Sequence, residues 1–193
     1  MNLNVSTKHN LKPKSISSLR IVFTGSPSSG KTSLLRHFCE LGYHCLPEVS
    51  REIIQESLDN NLDITPWQNL EAFSNMVYEK RKNQFHNTKE GWNFFDRSVI
   101  DVLAYQNLDE ISISEAITAE VVEYHYDLIF LAEPWMDIFE NDDQRVESWE
   151  QAVKIDQALK RTYQHFGYTP IIIPNCSIEK RAAFVIEYLE KHG

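Results

Sequence analysis

The stretch GSPSSGKT, Gly25 to Thr32, directly follows the apolar run LRIVFT and constrains this chain more than any other feature. Gly25 and Gly30 are separated by four residues and followed at once by Lys31 and Thr32. Glycines so spaced reach backbone angles closed to other residues, which turns the amides between them inward as an anion nest. A helix opening at Gly30 adds the positive end of its dipole. Lys31 then reaches the outer phosphates of a nucleoside triphosphate, and the Thr32 hydroxyl is placed to ligate Mg²⁺. The spacing predicts a strand, a phosphate-cradling P-loop over Gly25, Ser26, Pro27, Ser28, Ser29, Gly30, Lys31, Thr32 and Ser33, and then a helix.

Strand and helix signals alternate through the rest of the chain. Leu34, Leu35, Phe38 and Leu41 have helical spacing, with Gly42 as the stop. YHCLP reads as a second strand, ended by Pro47, and EVSREIIQESL as the next helix. Pro66 opens a long helix to about Thr88, and WNFFD is a third strand. VIDVLAYQNL and ISEAITAEVVEYH look helical, DLIFLAE and TPIIIP are strands, and helices run over about 147–166 and 177–191. Strands separated by helices imply a parallel sheet covered on both faces. The expected fold is α/β: a P-loop NTPase three-layer αβα sandwich with a five-stranded parallel sheet. It occupies residues 19–193 as one domain, behind a flexible polar tail over 1–18 that lacks the apolar core of a secretory signal.

Composition excludes several classes. The formal net charge is −9, which disfavours a nucleic-acid surface. The one tight basic cluster, Lys80 to Lys82, reads as the solvated face of a helix. No apolar run approaches the roughly 20 residues of a membrane span. The three cysteines, Cys39, Cys45 and Cys176, form no CxxC pair, which points to reduced, buried thiols in a cytoplasmic protein.

Two absences narrow the chemistry. No N-K-x-D guanine-reading motif follows the last strand, and the third strand ends in FFDRS rather than in an Asp-Glu pair. Asp96 can hold Mg²⁺ directly or through water while Arg97 grips a substrate oxygen, or the two can be a scaffold salt bridge. Glu48 ends the second strand, at the sheet edge where ligands of open α/β folds bind. It suits a general base or a metal-supporting acid, or else a first-turn acid of the following helix. Arg51 would face the same cleft. From Asp109 to Glu150 thirteen acids surround a single arginine, Arg145. Trp67, Phe73 and Tyr78 fall toward substrate positions, although aromatics at such spacing also build cores.

PEVSREI together with DRS resembles the deoxyribonucleoside kinases, and DR is similar to the thymidylate kinase motif. The order of GSPSSGKTSLLRHFCELGYHCLPEVSREII, FFDRSVIDVLAY, YDLIFLAEPWMDIFENDDQRVES and FGYTPIIIP resembles a family of ATPases with a NadR-like AAA domain, over most of residues 19–190. The resemblance implies a nucleoside/nucleotide-kinase-like fold binding ATP and Mg²⁺. It makes Lys31, Glu48, Asp96, Arg97 and Arg145 catalytic, Thr32 and Asp96 metal ligands, and Glu48, Arg51 and Arg97 the grip on a small-molecule phosphoryl acceptor. Arg145 would belong to a lid, seated by Trp135 and Phe139, or would merely pair with neighbouring acids. Pro174 to Ser177 would pass the adenine. The chain departs from those kinases in having one lid arginine and Asp96 in place of Glu. The expected function is γ-phosphoryl transfer, with an ATP-hydrolysing switch acting on a protein partner as the alternative.

Overall fold

The computed structural model describes residues 18–108, 115–139 and 147–192. The expected tail therefore lies outside the described residues except for Ser18, and Arg145 lies outside them altogether.

Five strands form one parallel sheet in the order β2-β3-β1-β4-β5: β1 (Ser18–Gly25), β2 (His44–Leu46), β3 (Gly91–Asp96), β4 (Leu128–Ala132) and β5 (Ile171–Ile172). The register sets Phe23 beside Asp96 on one side and Gly25 beside Ala132 on the other. Side chains alternate across the central strand. Ile21 and Phe23 pack with Leu34 and Phe38 of α1 (Lys31–Glu40) and Val185 and Leu189 of α7 (Ile178–His192). Val22 faces the other way, toward Ile53 of α2 (Ser50–Asp59), Val77 of α3 (Leu70–His86), Leu103 of α4 (Val99–Leu108) and Leu159 of α6 (Trp149–His165). The first of these cores is aromatic, with Phe94 stacked on Phe38 at 4.2 Å and on Phe23 at 5.4 Å between centroids. A short α5 (Glu115–Val121) completes the described α-helices, and a 3-10 turn covers Met136–Ile138. The three expected layers are present.

The boundaries differ where local bonding outweighs pattern. The long helix begins at Leu70, not Pro66, because Asn69 caps it by accepting from Ala72 N at 3.0 Å, and Gln68 and Asn69 first turn back onto Thr65. β5 is cut to two residues at the sheet edge, flanked by Pro170 and Pro174, which lack the donor a ladder needs. α6 starts with a capping box between Ser148 and Gln151. No described helix is long and apolar enough to cross a membrane. The three thiols are free, but Cys39 is exposed and the other two half-buried, so they are not the buried cysteines expected from sequence.

Candidate active site

The glycines of the phosphate loop are set by close approach. Gly25 has φ +138°, and a Cβ there would stand 2.1 Å from the Ala132 carbonyl oxygen of β4. Gly30, at φ +82°, caps α1, and a Cβ on it would stand 2.9 Å from Arg181 Nη1. Inside the loop, Ser29 Oγ donates to the Ser26 carbonyl at 2.9 Å. Lys31 Nζ donates to the same carbonyl at 2.5 Å and to Ser29 Oγ at 3.0 Å. The ammonium is thus held against the inside of its own loop.

Behind that loop Arg181 of α7 is completely buried. Its Nη1 donates to the Ser29 carbonyl at 2.8 Å, Nε to the Pro174 carbonyl at 3.1 Å, and Nη2 to Asn175 Oδ1 at 3.0 Å. The Trp135 ring lies 5.1 Å from the guanidinium carbon. One side chain ties the phosphate loop to the Pro174–Ser177 turn. Phe139 meets Trp149 of α6 edge-on at 5.5 Å. Phe139 and Trp149, from before and after residues 140–146, are thus in contact, while Trp135 lies against Arg181.

At the other side of the loop Thr32 Oγ1 donates to Asp96 Oδ2 at 2.9 Å. Asp96 is buried and its Oδ1 has no hydrogen-bond partner among the described residues. Burial pushes this carboxyl above its ordinary range against the pull of Lys31 and Arg97. A hydroxyl and an under-satisfied buried carboxylate beside a phosphate loop fit a hard divalent cation. Among the described residues no group of three or more His, Cys, Asp or Glu could hold a metal. A cation here would draw its remaining oxygens from phosphate and water.

The opposite side of the site is built from distant residues. Glu48 Oε1 accepts from Ser50 N at 2.8 Å and from Arg81 Nη2 at 3.1 Å. Arg81, only 2% exposed, also donates through Nη1 to the Asp96 carbonyl at 2.9 Å, bridging β3 to the end of β2. Burial alone would raise the Glu48 carboxyl, but Arg81 and Arg97 hold it below its ordinary range, so it is ionised at neutral pH. Arg97 has left-handed backbone, φ +74°, and its amide donates to the Phe23 carbonyl at 2.9 Å. Its guanidinium reaches Asp101 Oδ1 at 3.3 Å and lies 5.2 Å from the Tyr105 ring centroid.

These groups open on one cleft of about 470 Å³, which Lys31, Thr32, Glu48, Arg51, Arg81, Asp96, Arg97 and Asp101 line together. Ile54, Leu70, Phe73, Val77, Val102, Leu108 and Ile155 form its apolar wall. Glu147, Gln151 and Lys154, at the start of α6, complete the rim. The volume is that of an ordinary small-molecule site.

A family model described as an AAA domain matches residues 20–181. The chain belongs to that AAA-domain family. Among solved structures, the NadR protein in complex with NR aligns at a TM-score of 0.68 and 18% identity, over 91% of this chain and 51% of that one. The chain therefore spans about half the length of that NadR chain. Deoxyadenosine kinase from M. mycoides, with dCMP and dCDP bound, aligns at 0.63 and 12% identity, over 91% of this chain and 100% of that one. Thymidylate kinase from Ehrlichia chaffeensis aligns at 0.61 and 17% identity, over 89% and 98%. No curated protein matches the sequence. At such identities the likeness establishes the fold, a P-loop kinase-like one shared with nucleoside and nucleotide kinases.

In this AAA-domain protein the structure brings Lys31, Thr32, Glu48, Arg51, Asp96 and Arg97 to the lining of one cleft. Of the three aromatics, Phe73 lines the cleft, Tyr78 is core, and Trp67 is 58% exposed and outside the lining. The basic cluster is corrected at its middle residue. Lys80 is a surface residue paired with Glu52 and Glu56, and Lys82 is paired with Glu79 and Glu120, but Arg81 points inward. Its signal was present: Phe73, Val77, Arg81 and Phe85 recur every fourth residue on one helix stripe. Arg181 likewise shares a stripe with Ile178, Ala182, Val185 and Leu189. Asp101, set among Val99, Ile100, Val102 and Leu103, is the third residue the sequence reading missed.

Proposed function

We propose that this chain binds ATP with Mg²⁺ and transfers the γ-phosphoryl group to a hydroxyl of a small acceptor, nucleoside-like or nucleotide-like. The observation that carries the reading is the shared cleft: a phosphate loop with its lysine, a Thr32–Asp96 pair, and an ionised Glu48 beside Arg97 all face one volume. Two kinases of the same fold, a deoxyadenosine kinase and a thymidylate kinase, are named for nucleoside and nucleotide acceptors, which supports the acceptor class.

Lys31 would hold the outer phosphates, and Thr32 and Asp96 would hold Mg²⁺, which when bound neutralises charge on the phosphate oxygens. The acceptor's apolar body would lie against Phe73, Val77 and Val102, its hydroxyl toward Glu48. As that oxygen bonds to the γ-phosphorus, its proton passes to Glu48 and the bond to the bridging oxygen breaks, leaving ADP. Arg97 and Arg51 would take up charge on the acceptor side, and Arg145, from the segment between Phe139 and Glu147, would close over the transferring group.

The test is ADP formation from Mg·ATP with and without a panel of nucleosides, nucleoside monophosphates and nicotinamide riboside, with Lys31→Ala alongside. Stimulation by one acceptor, absent from the variant, is the expected result. A slow rate unchanged by every acceptor would replace the reading with that of a hydrolysing switch.

A further inference from the structure

Asp101 is a carboxylate that an apolar helix has no packing reason to bury. It is 1% exposed among Val99, Ile100, Val102 and Leu103, all core residues. Burying an ionised group is costly unless donors surround it. Here they do. Oδ1 accepts from Thr24 Oγ1 at 2.7 Å and from Arg97 Nη1 at 3.3 Å. Oδ2 accepts from Ser98 N at 2.9 Å, Ser98 Oγ at 3.1 Å and Tyr163 Oη at 2.5 Å. Ser98 Oγ and Tyr163 Oη also lie 2.6 Å apart, so the two hydroxyl protons are shared among three short contacts around Oδ2.

Each donor comes from a part of the site that has to stay in register with the others. Thr24 is the last β1 residue before the phosphate loop. Arg97 faces the acceptor and sits on a left-handed backbone that orients its side chain back over α4. Tyr163 belongs to α6, whose first turns bring Gln151, Lys154 and Ile155 to the cleft.

We propose that Asp101 is the positioning residue of the acceptor site, fixing the Arg97 guanidinium against β1 and α6 through its bonds to Thr24, Ser98 and Tyr163. The claim rests on the kinase reading above only for what Arg97 then grips. A free arginine side chain samples many rotamers. One anchored at its guanidinium delivers its remaining donors to one place, which is the form of preorganisation that transfer chemistry requires. Asp101 touches no reacting atom in this scheme and acts through Arg97.

The experiment uses the full chain with Asp101→Asn and Tyr163→Phe, each first checked by melting temperature and circular dichroism. Side-chain NMR follows the Arg97 Nε–H signal, assigned by its loss in Arg97→Lys. A sharp, slowly exchanging signal in the wild type that broadens or vanishes in Asp101→Asn is expected, with a smaller change in Tyr163→Phe. In the panel assay, acceptor-stimulated turnover should fall about tenfold or more in Asp101→Asn while the Kd for Mg·ADP stays within about twofold. Should Asp101→Asn not fold, Tyr163→Phe, which removes one donor and no charge, carries the same two readouts. An Arg97 signal unchanged in whichever variants fold overturns the proposal, as does equal loss of Mg·ADP binding and turnover. A wild type that responds to no acceptor, but whose Arg97 signal depends on Asp101, defeats the kinase reading and leaves the positioning role in place.

Discussion

The two halves of the cleft are built in opposite ways. The half proposed to bind the nucleotide is local: Gly25 to Thr32 supplies nest, lysine and hydroxyl within eight consecutive residues, joined by Asp96 and Arg181 from elsewhere. The half proposed to hold the acceptor is dispersed. Glu48, Arg81, the neighbouring Arg97 and Asp101, and Lys154 come from four separate places in the chain, and buried guanidinium–carboxylate bonds hold several of them together. A phosphate is a fixed shape that one backbone turn can fit, whereas an acceptor must be enclosed from several sides. The nucleotide half should therefore fail chemically when altered, and the acceptor half should fail in chemistry and stability together.

The sharpest way to break that contrast is Lys31→Ala. Turnover should drop by about 10³-fold while the melting temperature stays close to that of the wild type. A large loss of stability would mean that the loop depends on its lysine for folding. Next, Arg81→Met removes the partner of a buried carboxylate and the donor to the Asp96 carbonyl. Denaturant unfolding should show a loss of about 3 kcal/mol, whereas a neutral result would place Arg81 outside the framework. Glu48→Gln preserves shape and the acceptor oxygen facing Arg81 but removes the base. Acceptor-stimulated turnover should fall by about 10²-fold with ATP affinity little changed.

Arg181→Met tests the nucleotide half from behind. Losing the bonds to Ser29 and Pro174 should raise the KM for ATP by about tenfold and leave kcat nearly intact. Equal changes in both would mean that the clamp serves chemistry rather than binding.

The smallest effect is a pH dependence. Burial would raise both Glu48 and Asp101, but the neighbouring arginines hold both below the ordinary carboxylate range. A folded-state value below the unfolded one adds stability that is complete above about pH 5 and is lost as pH falls through the folded values. Asp96, raised by burial, works in the opposite direction and offsets part of it. Melting temperature should thus fall on acidification below that range, and Glu48→Gln should flatten the fall. An unchanged acid limb in the variant would separate Glu48 from the stability of the acceptor half.

What the sequence disclosed follows the same division. The sheet, its five strands and the phosphate loop were legible because each rests on contiguous residues: LRIVFT before Gly25, or the glycine spacing itself. Helix starts were less so, since the Asn69 cap overrode the signal of Pro66. In the acceptor half the charged residues misled. Arg81 sits between two lysines and reads as solvated until the stripe through Phe73, Val77 and Phe85 is traced. Asp101 reads as an oddity in an apolar helix, and only tertiary contact gives it Thr24 and Tyr163, 77 and 62 residues away in sequence. A charge pattern records that a group is polar. It does not record which other group folding will bring to it.

The most direct test of the central claim follows the phosphoryl group itself. ATP labelled at the γ-position, with Mg²⁺ and the acceptor panel, is incubated with the wild type and Glu48→Gln, and the products are separated. The account predicts label in one phosphorylated small molecule, formed by the wild type and strongly reduced in the variant. Label found only in inorganic phosphate, at a rate no acceptor changes, would contradict it.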